Sequence, residues 1–298
     1  MTATDTRTIL SAKSTVTPRA KRNRGDLGFT IWGIAVLVFL FLPIAVVVVY
    51  SFNVGRLLTS FTQFGFDSFA AIVSNEVIRS AVLISVQTGF LAALLASVLG
   101  TLAGIAMARH PGKWVWWFLV LLLLVSVTPE IVDAVALLPW LVTLGQDWGI
   151  GFFNDGIFRL VIGHSLFSIA VVSYLVRARL IGLDAQLEEA SADLYAPPLT
   201  TFRRVTLPLA MPAVLAGFLL SFTLSLDNTV IAAFISVAGS TPWPVYILGA
   251  VRTGLRPEIA AVSTIMLLLT LVALAVVALV LKRAGDSAAD IARTMAGG

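Results

Sequence analysis

No cysteine occurs among the 298 residues, which excludes disulfide frameworks, thiolate metal sites and cysteine nucleophiles. Charge is scarce: Asp, Glu, Lys and Arg make up 12% of the chain, about half the share of a typical soluble protein. Two histidines, His110 and His164, do not supply the ligand set of a zinc centre, so no metal site is expected. A phosphate-binding Gly-x-x-x-x-Gly-Lys-Ser/Thr loop is missing too. Gly112-Lys113 is followed by Trp114 and lacks the upstream glycine, so ATP is not bound by that route. Serine and histidine occur without a paired acid in a hydrolase context. The chain is expected to be no enzyme, to hold no cofactor of its own and to bind no nucleic acid. Repeats at a solenoid-like period are absent as well.

What is present is apolar. Hydrophobic residues make up 58% of the chain and mean hydropathy is +0.97. Uncharged runs at 29–50, 80–108 and 259–281 each exceed the ~18 residues that mark a membrane-crossing helix. Backbone polar groups in lipid must be paired within their own segment, so such spans are helical. The pattern predicts an all-α integral membrane protein with six transmembrane helices near 29–51, 80–108, 114–144, 159–177, 209–236 and 258–281. The third is interrupted by Pro129, Glu130, Asp133 and Pro139. The fifth is expected to end near Ile235, with 236–256 as an outer loop. Residues 1–28 read as a basic tail, 29–283 as one six-helix domain and 284–298 as a second tail. The first apolar run has no small-residue cleavage site behind it and reads as a retained helix. With the amino terminus inside, fifteen of the 20 Lys and Arg residues fall on the inner side, the bias of the positive-inside rule. Both termini are then cytoplasmic.

Between the fourth and fifth spans lies a polar island: Glu189-Ala190-Ser191-Ala192-Asp193-Leu194, then Phe202-Arg203-Arg204-Val205-Thr206-Leu207-Pro208. Asp184 is placed to cap a short helix, and Glu188 and Glu189 suit its positive dipole end. Leu187, Ala190 and Leu194 form a narrow apolar stripe. Pro197 and Pro198 stop this helix, and a second short helix can start at Pro198 and carry Phe202 and Val205. Arg203 and Arg204 fall at the lipid boundary. A helix of about ten residues is marginal alone in water, so it needs either a partner surface or the membrane face to rest on.

The island resembles the coupling motif of ABC importer permeases: Glu-Ala-Ala, a glycine six residues after the Glu, and a closing Leu-Pro. Tyr195 stands where that glycine is usual. Glycine permits a positive-φ turn that a bulky aromatic disfavours, so Pro197-Pro198 is expected to make the turn instead. Ser221-Phe222-Thr223-Leu224-Ser225-Leu226-Asp227-Asn228 is similar to the fifth-helix signature of spermidine/putrescine importer permeases, with Asn228 where a second Asp is usual. Gly163-His164-Ser165-Leu166-Phe167, Pro129-Glu130-Ile131 and Arg256-Pro257-Glu258-Ile259 resemble further patterns of that group, in the same order. The resemblance implies a type I ABC importer permease fold in a bacterial inner membrane, taking up polyamines by alternating access. It further implies an ABC ATPase dimer carrying ATP and Mg, a second and different permease chain, and an extracytoplasmic substrate-binding protein. The segment 184–208 would be the coupling surface, with Glu188, Glu189, Ala190, Asp193, Leu194, Phe202, Arg203, Leu207 and Pro208 as its ATPase-coupling residues. Rival readings are a permease for another solute (ferric iron, thiamine or an organic acid) and an ion-coupled secondary transporter.

Acids inside spans usually face a cavity, pair, or line a path. Glu130, Asp133 and Asp227, with Asn228, are therefore the candidate substrate path. A straight-helix count puts Glu130 and Asp227 each roughly 24 Å from the cytoplasmic edge, at one level where a polycation would meet negative charge. The alternative is that these carboxylates are interfacial, protonated or bonded to freed backbone. His164 reads as a hydrogen-bond donor in helix packing, and Gly100, Gly104 and Ala108 as sites of close helix approach.

Overall fold

A computed structural model describes residues 24–55, 60–183, 186–254 and 256–283. Two compact units emerge, one up to Val46 and the other from Val47 onward. The first is described by helix α1 (Arg24–Tyr50), which continues into the second. Its Trp32, Phe39 and Phe41 are exposed, as suits a helix solvated by lipid.

The second unit is built on α3 (Glu76–Arg109), α6 (Gly156–Ile181) and α9 (Leu207–Asp227), which pack on one another. Their contact is lined by small residues. A methyl at Gly100 would lie 2.6 Å from Val172 Cβ and 3.0 Å from the Ile169 carbonyl oxygen. One at Gly104 would lie 2.8 Å from Val176 Cβ and 2.9 Å from the Ser173 carbonyl oxygen. Close approach therefore depends on the missing side chains, as expected for association in lipid. Ala96, Val172, Val176, Leu180, Ala210 and Ala213 fill the resulting core.

Shorter elements surround this centre. Helix α2 (Asp67–Ser74) packs on α3 and on α12 (Pro257–Arg283). Ahead of it, the buried Asn53 accepts from the Thr62 amide (2.9 Å) and donates to the Ser60 carbonyl (2.9 Å), closing the loop after α1. The third predicted span is two helices, α4 (Lys113–Val127) and α5 (Glu130–Val142), bent by 101°. Thr128 and Pro129 are both extended (ψ 129° and 132°). Proline disfavours helical geometry in the residue before it, so Thr128-Pro129 breaks the span. Among the described residues, five helices are long and apolar enough to cross a membrane, or six if the bent pair is one span.

Two further expectations are corrected. The fifth span stops at Asp227, Asn228 is extended, and α10 (Val230–Ile235) begins anew. The supposed outer loop contains α11 (Trp243–Thr253), with Pro242 as its cap and Pro244 in its first turn. Trp243 is buried with Ile78, Ala81, Ile259 and Val262, joining α11 to α3 and α12. Proline in a first turn signals a helix start, a cue outweighed in the sequence by Gly239 and the two prolines read as loop.

Gly104→Ala should lower the thermal unfolding midpoint of the purified protein, by an amount corresponding to roughly 1–3 kcal/mol of overpacking. The carbonyl oxygen it meets belongs to backbone and cannot step aside. Gly249→Ala on α11, with nothing within 4 Å, should leave the midpoint unchanged or raise it. Equal midpoints for both variants would show that the α3–α6 approach is not tight.

Candidate functional site

The polar island forms α7 (Gln186–Asp193) and α8 (Pro198–Thr201). Asp184, expected to cap α7, lies outside the described residues. Glu188 and Glu189 occupy the first turn of α7 but have different surroundings. Glu188 Oε1 accepts from Arg109 Nε (2.9 Å) at the end of α3 and from the Thr206 hydroxyl (2.8 Å) just before α9. Arg109 Nη1 also donates to the Leu180 carbonyl (3.2 Å) near the end of α6. One carboxylate thus ties α7 to the ends of all three central helices. Glu189, Ala190, Asp193 and Leu194 are exposed, and Leu187 with them, so the apolar stripe is uncovered within the chain.

The turn after α7 departs from expectation. Tyr195 itself takes the positive φ, 57°, and is the one non-glycine residue to do so among the described residues. The Tyr195 amide donates to the Ala192 carbonyl (2.8 Å) and the Ala196 amide to the Ser191 carbonyl (3.1 Å). This pair of bonds is the Schellman arrangement, whose pivot is ordinarily glycine. An aromatic residue there carries a backbone cost of about 1–2 kcal/mol. Pro197 and Pro198 come after the turn and do not replace it. Pro197 is extended and Pro198 opens α8, while Ser191 Oγ and Thr201 Oγ1, 2.8 Å apart, pin α8 to α7.

No separate second helix follows. A helical run extends from Pro198 to Asp227 through a widened π-turn at Phe202–Thr206, closed by the Leu207 amide on the Phe202 carbonyl. Pro208 lacks the N–H that would bond to the Arg204 carbonyl, and its ring would crowd that carbonyl. Widening the turn relieves both. Arg203, Arg204 and Pro208 are exposed, and Phe202 and Leu207 half-buried.

At the other end of α9, Asp227 is exposed on the wall of a cavity of about 430 Å³. Thr223, Thr229, Trp243, Ser263 and Thr270 share that wall. Trp243 is held in place: its amide donates to Ser85 Oγ (2.7 Å) and its ring stacks on Tyr246 with centroids 5.3 Å apart. His164 Nδ1 and Ser225 Oγ, 2.6 Å apart, link α6 to α9 two residues before Asp227, the packing role expected of His164. Asn228 Oδ1 accepts from the Ile231 amide (3.1 Å) and so caps α10.

Glu130 and Asp133 lie in the first turn of α5, Glu130 exposed and Asp133 half-buried. Neither lines the Asp227 cavity. The straight-helix depth for Glu130 does not hold, because the 101° bend precedes it. Sequence reasoning missed Trp243 and Tyr246, whose signal was the Pro242-Trp243-Pro244 helix start. Among the described residues no cluster of His, Asp or Glu could hold a metal ion.

Residues 100–287 match the family described as binding-protein-dependent transport system inner membrane component. The chain is 36% identical over 236 residues to the spermidine/putrescine transport system permease protein PotC of Haemophilus influenzae, covering 79% of this chain and 89% of that one. It is also 36% identical over 244 residues to the putrescine transport system permease protein PotI of Escherichia coli, covering 79% and 85%. A solved bacterial alginate ABC transporter, in complex with alginate pentasaccharide-bound periplasmic protein, is similar in fold. Its TM-score is 0.64 at 16% identity, over 87% of this chain and 96% of that chain.

Removing Glu188 should loosen the island from the three helices. Glu188→Ala and Arg109→Ala should each lower stability by on the order of 1.5–3 kcal/mol, the range for hydrogen bonds to charged groups. The double variant should lose less than the sum, since the two groups share one interaction. Thermal unfolding of the four proteins checks this; additive losses would mean that the pair is not coupled.

Proposed function

The chain belongs to the family of binding-protein-dependent transport system inner membrane components, and from that premise we propose that its solute is a polyamine such as spermidine or putrescine. It is the permease subunit of an ABC importer, which removes the ion-coupled alternative. The observation that carries the solute reading is the cavity beside the α9–α10 break. There a carboxylate, Asp227, shares a wall with Trp243 and the hydroxyl residues Thr223, Thr229, Ser263 and Thr270. An alkylammonium group is suited to such a wall through charge and hydroxyl acceptors. The relatives named for spermidine and putrescine support the same class.

In this reading the cytoplasmic 184–208 segment seats on an ABC ATPase dimer that carries ATP and Mg. A second, different permease chain supplies the facing wall, and an extracytoplasmic binding protein delivers the solute. Closure of the ATPases draws the α7 segments together, and Glu188 passes that movement through Arg109 and Thr206 to α3 and α9. Rigid-body rocking of packed helices then reopens the path on the other side. Glu130 and Asp133 would act elsewhere on the path from Asp227. Asn228 would position Asp227 by capping α10, without itself holding the solute.

Two measurements test this. In proteoliposomes with binding protein outside and ATP inside, Asp227→Asn should slow polyamine uptake roughly tenfold or more, the equivalent of one charge-assisted hydrogen bond, with complex assembly intact. Asp155→Asn should have little effect, because Asp155 caps α6 through the Phe158 amide (2.8 Å) and asparagine caps as well. Normal uptake by Asp227→Asn would end the cation-path argument. Orientation is tested by single cysteines in this cysteine-free chain. In intact cells an impermeant thiol reagent should label Ala238→Cys and spare Ala192→Cys, both exposed positions. The reverse pattern would invert the assigned topology.

A further inference from the structure

We infer that Tyr195 is an aromatic anchor by which this permease grips its motor subunit; the inference rests on the reading that the 184–208 segment seats on an ATPase. Three observations carry it. The residue holds a positive φ of 57°, a conformation that glycine or asparagine adopts with less strain. The two Schellman hydrogen bonds fix that conformation, so the strain is not relaxed. And the residue is 95% exposed, so packing within the chain does not offset the strain. A large side chain at this pivot therefore weakens the fold it sits in. Its benefit must come from outside the chain, and strained residues of this kind cluster at functional contacts.

The surroundings indicate what kind of surface it meets. Leu194 (82% exposed) and Leu199 (76% exposed) flank the turn, giving an apolar knob around the ring. The turn is braced by Pro197 and by the Ser191–Thr201 hydrogen bond, so the ring is presented on a rigid support, which lowers the entropy lost on binding. Rigid aromatics that fill a desolvated pocket are the usual energetic centres of protein interfaces. The alternative of insertion into lipid is disfavoured by Glu189 and Asp193, exposed on the helix that this turn ends, which an anionic headgroup layer repels. The exposed Arg203 and Arg204 stand beyond α8, in the turn that leads into α9. The occupant is therefore a protein surface with an apolar pocket, on the ATPase subunit.

The test uses the permease pair in lipid nanodiscs, titrated with the ATPase subunit. Tyr195→Gly should keep the turn, leave or raise the thermal stability of the permease, and weaken ATPase binding roughly tenfold or more. Tyr195→Phe should bind within about threefold of the parent, since the ring and not the hydroxyl fills the pocket. Equal binding by Tyr195→Gly overturns the anchor. Leu194→Glu separates the two claims. If it detaches the ATPase while Tyr195→Gly binds normally, the docking surface stands and the anchor falls. If Leu194→Glu and Tyr195→Gly both bind normally, the docking reading falls as well. Oxidative footprinting of Tyr195 should show protection only when the ATPase is added; protection by the bilayer alone overturns the assignment to a protein pocket.

Discussion

With no side chains at Gly100 and Gly104, α3 and α6 approach until Val172 and Val176 occupy the space a β-carbon would need. Lipid tails are as apolar as leucine, so helices in a membrane gain little from hiding apolar surface from one another. Close van der Waals contact is what holds them. Val172 also meets α9 at Gly217, where a methyl would lie 3.1 Å from it. One valine is thereby clasped by glycines on two helices. The three-helix centre gives the chain a rigid body to which both functional ends are attached.

At one end of that body the helical run from Pro198 into α9 is unbroken and one carboxylate is shared between helices. Arg109, Leu180 and Thr206 come from three different helices, and Glu188 connects two of them directly and the third through Arg109. A push on α7 is therefore felt by the whole centre and not by one helix. At the other end the helices break. Thr128-Pro129 and Asp227-Asn228 interrupt two spans, and the freed backbone is partly satisfied by local caps such as Asn228 on α10. Irregular backbone at membrane depth is tolerated where it lines a cavity or is buried in protein, and the Asp227 cavity lies beside one of these breaks.

The combination suits an importer subunit. Under the proposed function, the α7 surface would move and need stiffness behind it, which glycine-mediated packing and a shared carboxylate supply. Under the same proposal, a solute site would need polar groups not already consumed by helix hydrogen bonding, and the broken helix end at Asp227-Asn228 offers them. Trp243, anchored by Ser85 on α3 and stacked on Tyr246, ties the cavity wall back to the same rigid centre.

Much of this was legible in the sequence. The apolar runs and the scarcity of charge determined a helical membrane protein with a polar segment between two spans, because lipid admits only internally bonded backbone. The role of Gly100 and Gly104 could be read from their spacing, and α7 from the acids of its first turn, although the Tyr195 turn and not Pro197-Pro198 ends it. What the sequence did not determine was the path of the chain where local signals compete. Proline 129 marked an interruption, but only tertiary packing of α5 against α10 and α6 turned it into a bend of 101°. Gly239 and the prolines of 236–256 suggested a loop, yet burying Trp243 against α3 and α12 made a helix of it. Glu188 and Glu189 are adjacent carboxylates on one short helix; partners 79 and 18 residues distant turned the first inward and left the second exposed. Tyr195 adopts a backbone angle that its own residue type disfavours, because two hydrogen bonds of the turn outweigh the local preference. Local propensity is set within a few residues, whereas these outcomes depend on contacts that exist only once the helices have packed.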